Sequence, residues 1–344
     1  MKKINTKVIL LTVIFSLIFF WTPLPYFIEM PGTSEDLRDH VIVNGKKDDY
    51  KGSFMLTTVA VRQATPFTFL TSFFNSKQEL VSKKEMMGNS NSKEYDQMQN
   101  YYMKNSQNMA SKVALDLLDK PYEMEYKGVY VMSISDNSDF KNKLTIGSTI
   151  SHIDGKKIES SEELINSVQS KKVGESVTLT VEEDNETKEV TGKLIELDST
   201  KKTGVGISLI DHTELVSSEN IKFTTHDIGG PSAGLMFTLE LYSLLSQKDI
   251  RHGLEIAGTG TMNSAGEVGR IGGIDKKVIA AEYAGADVFF APDDPISDEL
   301  KEKYPDIKTN YEEAVVAVKA NKLNIEVIPI KTVNDAVKYL ENKK

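Results

Sequence analysis

The sequence predicts a mixed α+β and α/β chain with a β-rich module, a larger layered domain and one apolar N-terminal helix. Three observations carry that reading. An uncharged run, "VILLTVIFSLIFFWTPLPYFI", fills Val8 to Ile28. From Tyr122, about 80 residues read in the order strand, hairpin, helix, strand. From Gly204 onward, longer apolar segments broken by glycine alternate in strand and helix lengths, which is the pattern of a layered domain.

Composition narrows the chemistry. With 41 Lys and Arg against 50 Asp and Glu, the formal charge of -9 gives no basic surplus to hold phosphates, and nucleic acid is a poor partner. There is no cysteine, so a nucleophile must be an oxygen or an amine. His40, His152, His212, His226 and His252 lie far apart without the i, i+4 pairing of a helical zinc motif. No metal and no cofactor is expected.

Taken in chain order, the first unit is residues 1–31. Lys2, Lys3 and Lys7 precede the apolar run, which matches the ~20 residues needed to cross a bilayer and lacks the small-residue cleavage site of a signal peptide. The lysine bias places the N-terminus in the cytoplasm and the rest outside, with Trp21 and Tyr26 suited to the interface. In residues 32–121, "FMLTTVAV" from Phe54 to Val61 reads as a buried strand. Ser92 to Asp119 contains neither Pro nor Gly and spaces Met98, Tyr102, Met109, Val113 and Leu117 as an amphipathic helix. Residues 122–200 form the β-rich module and residues 201–344 the layered domain.

The module's "KGVYVMSIS", its hairpin "KNKLTIGSTISHIDGKKI", its helix "SSEELINSVQS" and its strand "ESVTLTVEED" resemble a bacterial PDZ domain over Tyr122 to Ile195. The stretch "NSDFKNKLTIGS" departs from it, lacking the usual Ser-Pro-Ala and Gly-Asp pairs. The resemblance puts the peptide-carboxylate loop at Lys127 to Tyr130. It implies that an extended peptide adds as a strand beside Gly128, Val129, Tyr130 and Val131, against the helix from Ser161 to Ser170.

Within "DIGGPSAGLMFTLELYSLL", Gly230 to Gly234 fits the G-x-S-x-G pattern of serine hydrolases. Pro231 suits the first turn of a helix whose apolar face is Leu235, Leu239, Tyr242 and Leu245. Ser232 then sits near a helix N-terminus, as a nucleophile or as a cap. Around it, Gly229, Gly230, Pro231 and Ala233 are the candidates for oxyanion binding and close backbone approach. A serine needs a base. His252 is the only later histidine, and His226 with Asp227 lies too close along the backbone to converge on the hydroxyl. Lysine remains, provided burial lowers its pKa. In "GRIGGIDKKVIAAEYAG", Lys277 shares a helical row with Ile274, Val278 and Ala281, a weak preference over Lys276.

Together, "GGPSAG", "IAGTGTM" and "GEVGRIGGIDKKVIAAEYAGADVFFAP" resemble the proteolytic domain of the Lon family over about Gly204 to Leu340. That resemblance implies Ser232 as nucleophile, Lys277 as base and Thr259 as the threonine supporting the lysine. The three units together resemble membrane-anchored, Lon-like PDZ proteases of Gram-positive bacteria, some of which process signalling peptides. In them the strand near Phe54 joins the protease core and the PDZ module is an insertion. No G-x-x-x-x-G-K-[ST] phosphate loop occurs in the chain, so the expected activity is ATP-independent. Expected partners are peptides or proteins with unstructured segments and the membrane, with a homo-oligomer left open. The rival readings are a non-catalytic PDZ scaffold or chaperone, and an esterase dependent on His252.

Overall fold

The computed structural model describes residues 6–88, 90–183, 186–198, 200–225 and 228–343. The chain starts with α1 (Thr6–Trp21), β1 (Tyr26–Asp36), β2 (Ser53–Gln63), α2 (Pro66–Ser72), β3 (Glu79–Ser82) and the long α3 (Ser92–Asp116). It then builds β4 (Tyr122–Ile134), β5 (Thr149–Ile153), α4 (Ser161–Gln169), β6 (Ser176–Glu183), β7 (Glu186–Lys193) and β8 (Ile207–Ser217). It closes with α5 (Gly234–Ser246), β9 (Glu255–Gly258), α6 (Ile274–Tyr283), β10 (Val288–Pro292), α7 (Asn310–Asn321), β11 (Glu326–Ile330) and α8 (Val333–Glu341).

The N-terminal apolar run is divided in the structure. Its described helix, α1, covers Thr6–Trp21, and no helix among the described residues is long and apolar enough to cross a membrane. Pro23 and Pro25 stop the helix. Tyr26 to Ile28 then enter β1, where Ile28 is fully buried, so the end of the apolar run belongs to the folded core.

The main sheet has the order β11-β10-β9-β2-β1-β3. Here β2 runs parallel to β9, with Ile256 opposite Phe54, and antiparallel to β1. A strand from before the β-rich module is thus central to the sheet built from the residues after it, which makes the module an insertion. Period-two alternation splits the core between the faces of the sheet. Phe54, Leu56, Ile256 and Phe290 point to a cluster with α3, α5 and α8, whereas Met55, Ala257, Phe289 and Ala291 point to α6 and α7.

The inserted sheet has the order β8-β4-β5-β6-β7 around a separate core. It corrects the sequence reading twice. The sheet continues to Ser217, because all of β8 pairs with β4, and so it runs past the expected boundary at residue 200. The proposed groove residues are also paired on both edges. Val129 and Tyr130 face Ile150 and Thr149 on one side and Asp211 and Ile210 on the other, and Gly128 and Val131 face His212 and Leu209. No strand can add there. The edge strand is β8, with α4 beside it: Ser161 N donates to Asp211 Oδ1 at 2.8 Å.

Helix α3 braces both units. Tyr101 Oη donates to the Asp211 carbonyl and Asn108 bonds the Thr213 carbonyl and the Leu215 amide, all on β8. Elsewhere along the same helix, Ser106 and Gln107 reach Pro231 and Thr225 of the other unit.

Candidate active site

The loop before α5 is held from three directions. Gly230 adopts φ 90°, a left-handed conformation natural to glycine, and its N–H donates to the Gln99 carbonyl of α3 at 2.9 Å. Ser106 Oγ donates to the Pro231 carbonyl at 3.1 Å. From the β9 side, Gly260 N and Thr259 Oγ1 both donate to the Ser232 carbonyl, at 2.8 and 3.0 Å. Helix α5 starts only at Gly234, with Ala233 as an N-cap that makes no side-chain capping bond. Pro231 therefore lies in the turn outside the helix instead of in its first turn, because this backbone is committed to α3 and β9 first. Ser232 is not a cap, and its hydroxyl is available for chemistry.

That hydroxyl meets an amine. Lys277 Nζ lies 2.6 Å from Ser232 Oγ and 3.1 Å from Thr259 Oγ1, with Thr259 fully buried. The lysine is delivered by the first turn of α6, which Gly273 opens at φ 66°. A Cβ on Gly273 would come within 2.7 Å of Val59 Cγ2, so both the conformation and the close strand contact demand glycine. Burial alone, with no carboxylate in support, pushes the Lys277 pKa down to about 7. Its neighbour Lys276 is turned toward Glu79 at 2.6 Å and Asp275 at 3.2 Å. Burial works against its charge too, but those carboxylates outweigh it and hold its pKa above the ordinary lysine value.

Of the oxyanion candidates, Gly230 has given its N–H to Gln99, and proline has none to give. Gly229 and Ala233 remain, along with Ser232's own amide, in the turn at the positive end of α5. His252 is exposed in the turn before β9, with φ 53°, and makes no contact with Ser232. His226 and Asp227 lie outside the described residues. Gly128, Val129, Tyr130 and Val131 sit in the interior of the inserted sheet, as described above. Sequence reading missed Gln99, which acts through its main-chain carbonyl and leaves no mark in the residue pattern, and Ser106, whose polar side chain on an amphipathic helix looks like surface. It also assigned "GVGISLI" to the layered domain, whereas Ile207 onward forms β8 of the inserted sheet.

Known proteins divide along the same lines. Residues 224–336 match the family described as Lon protease (S16) C-terminal proteolytic domain, and residues 112–194 match the PDZ domain family. The chain is 37% identical over 106 residues to a Lon protease of Aster yellows witches'-broom phytoplasma, covering 31% of this chain and 11% of that one. It is 41% identical over 78 residues to a Lon protease of Fusobacterium nucleatum, covering 21% and 10%. The chain thus spans about a tenth of the length of these relatives. The crystal structure of the PDZ domain of an SdrC-like protein from Listeria monocytogenes is 36% identical, covers 25% of this chain and 90% of that one, and superposes with a TM-score of 0.24. The chain carries a Lon-type proteolytic domain and, inserted ahead of it, a PDZ domain.

Proposed function

We propose that this protein is a serine endopeptidase with a Ser232–Lys277 dyad that cuts unstructured peptides or exposed segments of secreted or membrane proteins without ATP. The observation that carries the reading is the 2.6 Å contact between Lys277 Nζ and Ser232 Oγ in a site where burial, and no carboxylate among the described residues, sets the lysine's charge. Neutral Lys277 accepts the hydroxyl proton as Ser232 Oγ attacks the peptide carbonyl. The oxyanion forms against backbone N–H groups of the turn before α5. The lysine then passes that proton to the leaving amine, and water releases the acyl group by the reverse sequence. Thr259 fixes the amine through one hydrogen bond while tying down the Ser232 carbonyl with another.

The PDZ module fits recruitment of a peptide by strand addition along the edge of β8 at Ile207 to Ile210, ahead of the Asp211 carbonyl held by Tyr101. Ile207 and Leu209 pack toward the module's core and Ile165 of α4 is 40% exposed, which gives an apolar slot between strand and helix. A cell-membrane position with the N-terminus inside is part of the same proposal, supported by the apolar α1 and its lysine flank. Signalling peptides, which need no unfolding before cleavage, are a substrate class that fits the proposal.

The deciding experiment is an acylating serine probe followed by peptide mapping. Label on Ser232, lost in Lys277→Ala and unaffected by added ATP, is the expected result. A folded wild-type protein that takes no label would overturn the dyad. Protease treatment of intact protoplasts that leaves the bulk of the chain uncut would overturn the orientation.

A further inference from the structure

We propose that the apolar face of α2, with the Phe73–Phe74 turn that follows it, enters the bilayer as a second lipid contact beside α1. This inference rests on the membrane position proposed above. Phe67, Leu70, Phe73 and Phe74 are 40%, 52%, 68% and 91% exposed. Phe67, Leu70 and Phe74 stand at i, i+3 and i+7, on one side of the helix direction, while Phe73 follows the last turn and packs edge-on against Phe69, with ring centroids 5.4 Å apart. None has a polar atom. A single exposed Phe needs no explanation, but four clustered large apolar side chains mark a contact surface.

The opposite side of α2 is firmly seated, so the exposure is not a loose end. Thr65 and Thr68 close a reciprocal capping box around Pro66. Phe69 packs edge-on against Tyr26, with ring centroids 5.2 Å apart. Leu24 N donates to the Ala64 carbonyl and Ala64 N to the Tyr26 carbonyl, both at 2.8 Å, which pins the start of α2 beside the exit of α1. The two apolar surfaces are continuous: the Phe67 ring lies 4.8 Å from that of Phe20 and 6.0 Å from that of Phe19.

Two arguments choose lipid as the occupant. The first is continuity, because Ile14, Leu17, Ile18 and Phe20 of α1 are themselves exposed and extend the patch along a helix without a charged residue beyond Lys7. The second is position. The apolar face of α2 sits at the C-terminal end of α1, against Phe19 and Phe20, and a helix face of Phe and Leu suits the boundary between headgroups and acyl chains. Because α2 is bonded to β1 and β2, two contacts instead of one would fix the orientation of the main sheet to the membrane.

The test uses the full chain in lipid nanodiscs. Trp21 is the only tryptophan, so Trp21→Phe gives a silent background. Into it are placed, one at a time, Phe74→Trp, Ile14→Trp in α1, and Val173→Trp on the exposed PDZ surface. The expected result is a blue-shifted Phe74→Trp signal, quenched several-fold more by brominated acyl chains than the Val173→Trp signal. Quenching of Ile14→Trp without quenching of Phe74→Trp would overturn the proposal and leave the anchor standing. Quenching of neither would remove the anchor and the proposal together. A blue shift at Phe74→Trp that grows with protein concentration and ignores brominated lipid would overturn it in favour of a second copy of the chain.

Discussion

Lys276 and Lys277 are adjacent in sequence and opposite in electrostatics. Two carboxylates stabilise the charge on Lys276, whereas Lys277 is buried and its amine meets the Ser232 and Thr259 hydroxyls. A fall from 10.5 to about 7 corresponds to on the order of 5 kcal/mol of lost solvation for the charged amine. With Lys277 as the proposed base its neutral form is the active one, so kcat/KM rises with pH through a single ionisation near 7 and then levels off. Lys277→Arg and Lys277→Ala lose roughly 10³-fold or more, since a guanidinium cannot shed its proton in this range. Lys276→Ala keeps most activity, and Thr259→Val falls between, with its ionisation displaced because the amine is less firmly held. Initial rates across a pH series check all four. The converse order for the two lysines, or an active Lys277→Arg, would remove Lys277 as the base. Folding is linked to the same shift. The unfolded chain binds more protons than the native one between about 7 and ~10.4, so this group makes stability rise with pH across that window.

At the level of the element, α5 has to present Ser232 at one end while burying a charge cluster along its length. Glu240 on α5, Asp48 and Arg251 are all fully buried at the side chain, with Arg251 paired to both carboxylates and its guanidinium 5.0 Å from the Phe54 ring centroid. Burial first, and then the Asp48 charge, raise the Glu240 pKa to about 8 against the pull of Arg251. A raised carboxylate is proton-rich in the native state, so its contribution is full in acid and is lost as pH climbs from ~4.3 through about 8. Glu240→Gln flattens that slope in thermal melts. Arg251→Met leaves two buried carboxylates unpaired and costs about 3–5 kcal/mol, seen as a lowered Tm that partly recovers in acid. Ser106 belongs to the same assembly. Ser106→Ala frees the Pro231 carbonyl and lowers kcat several-fold with KM nearly unchanged, because the loop drifts without losing substrate contacts. These roles were only partly legible. Apolar spacing announced α3 and α5 as helices, but polar residues such as Ser106 and Glu240 read as surface until tertiary contacts revealed their partners. The apolar run through Ile28 looked like one span because hydropathy does not register that two prolines convert its end into a core strand.

For the whole molecule, the insertion topology decides how the two units can be separated. Ser232 and Lys277, which lie 2.6 Å apart in the structure, were legible through local glycine, serine and lysine patterns that resemble the Lon family. The edge of the PDZ sheet was not, because "GVGISLI" follows the module in sequence and pairs back to β4 only in three dimensions. Tyr122 opposes Ser217 at the base of the module, and Lys120 pairs with Glu219 at 2.5 Å just below it. The clean boundary is therefore 122–217. Replacing those residues by a short Gly-Ser bridge closes a gap already spanned by a strand pair. We expect this variant to keep acyl-probe labelling of Ser232 and hydrolysis of a short unstructured peptide, with turnover lowered several-fold because Tyr101 and Asn108 lose their β8 partners. It should lose preference for the natural substrate. Removing only 122–195 strips β4 from β8 and leaves the 11-residue strand with its whole β4 edge open, which should appear as aggregation in size-exclusion chromatography. A soluble, folded 122–217 excision that takes no probe would mean that the PDZ module completes the active site, and the division between recruitment and chemistry would have to be abandoned.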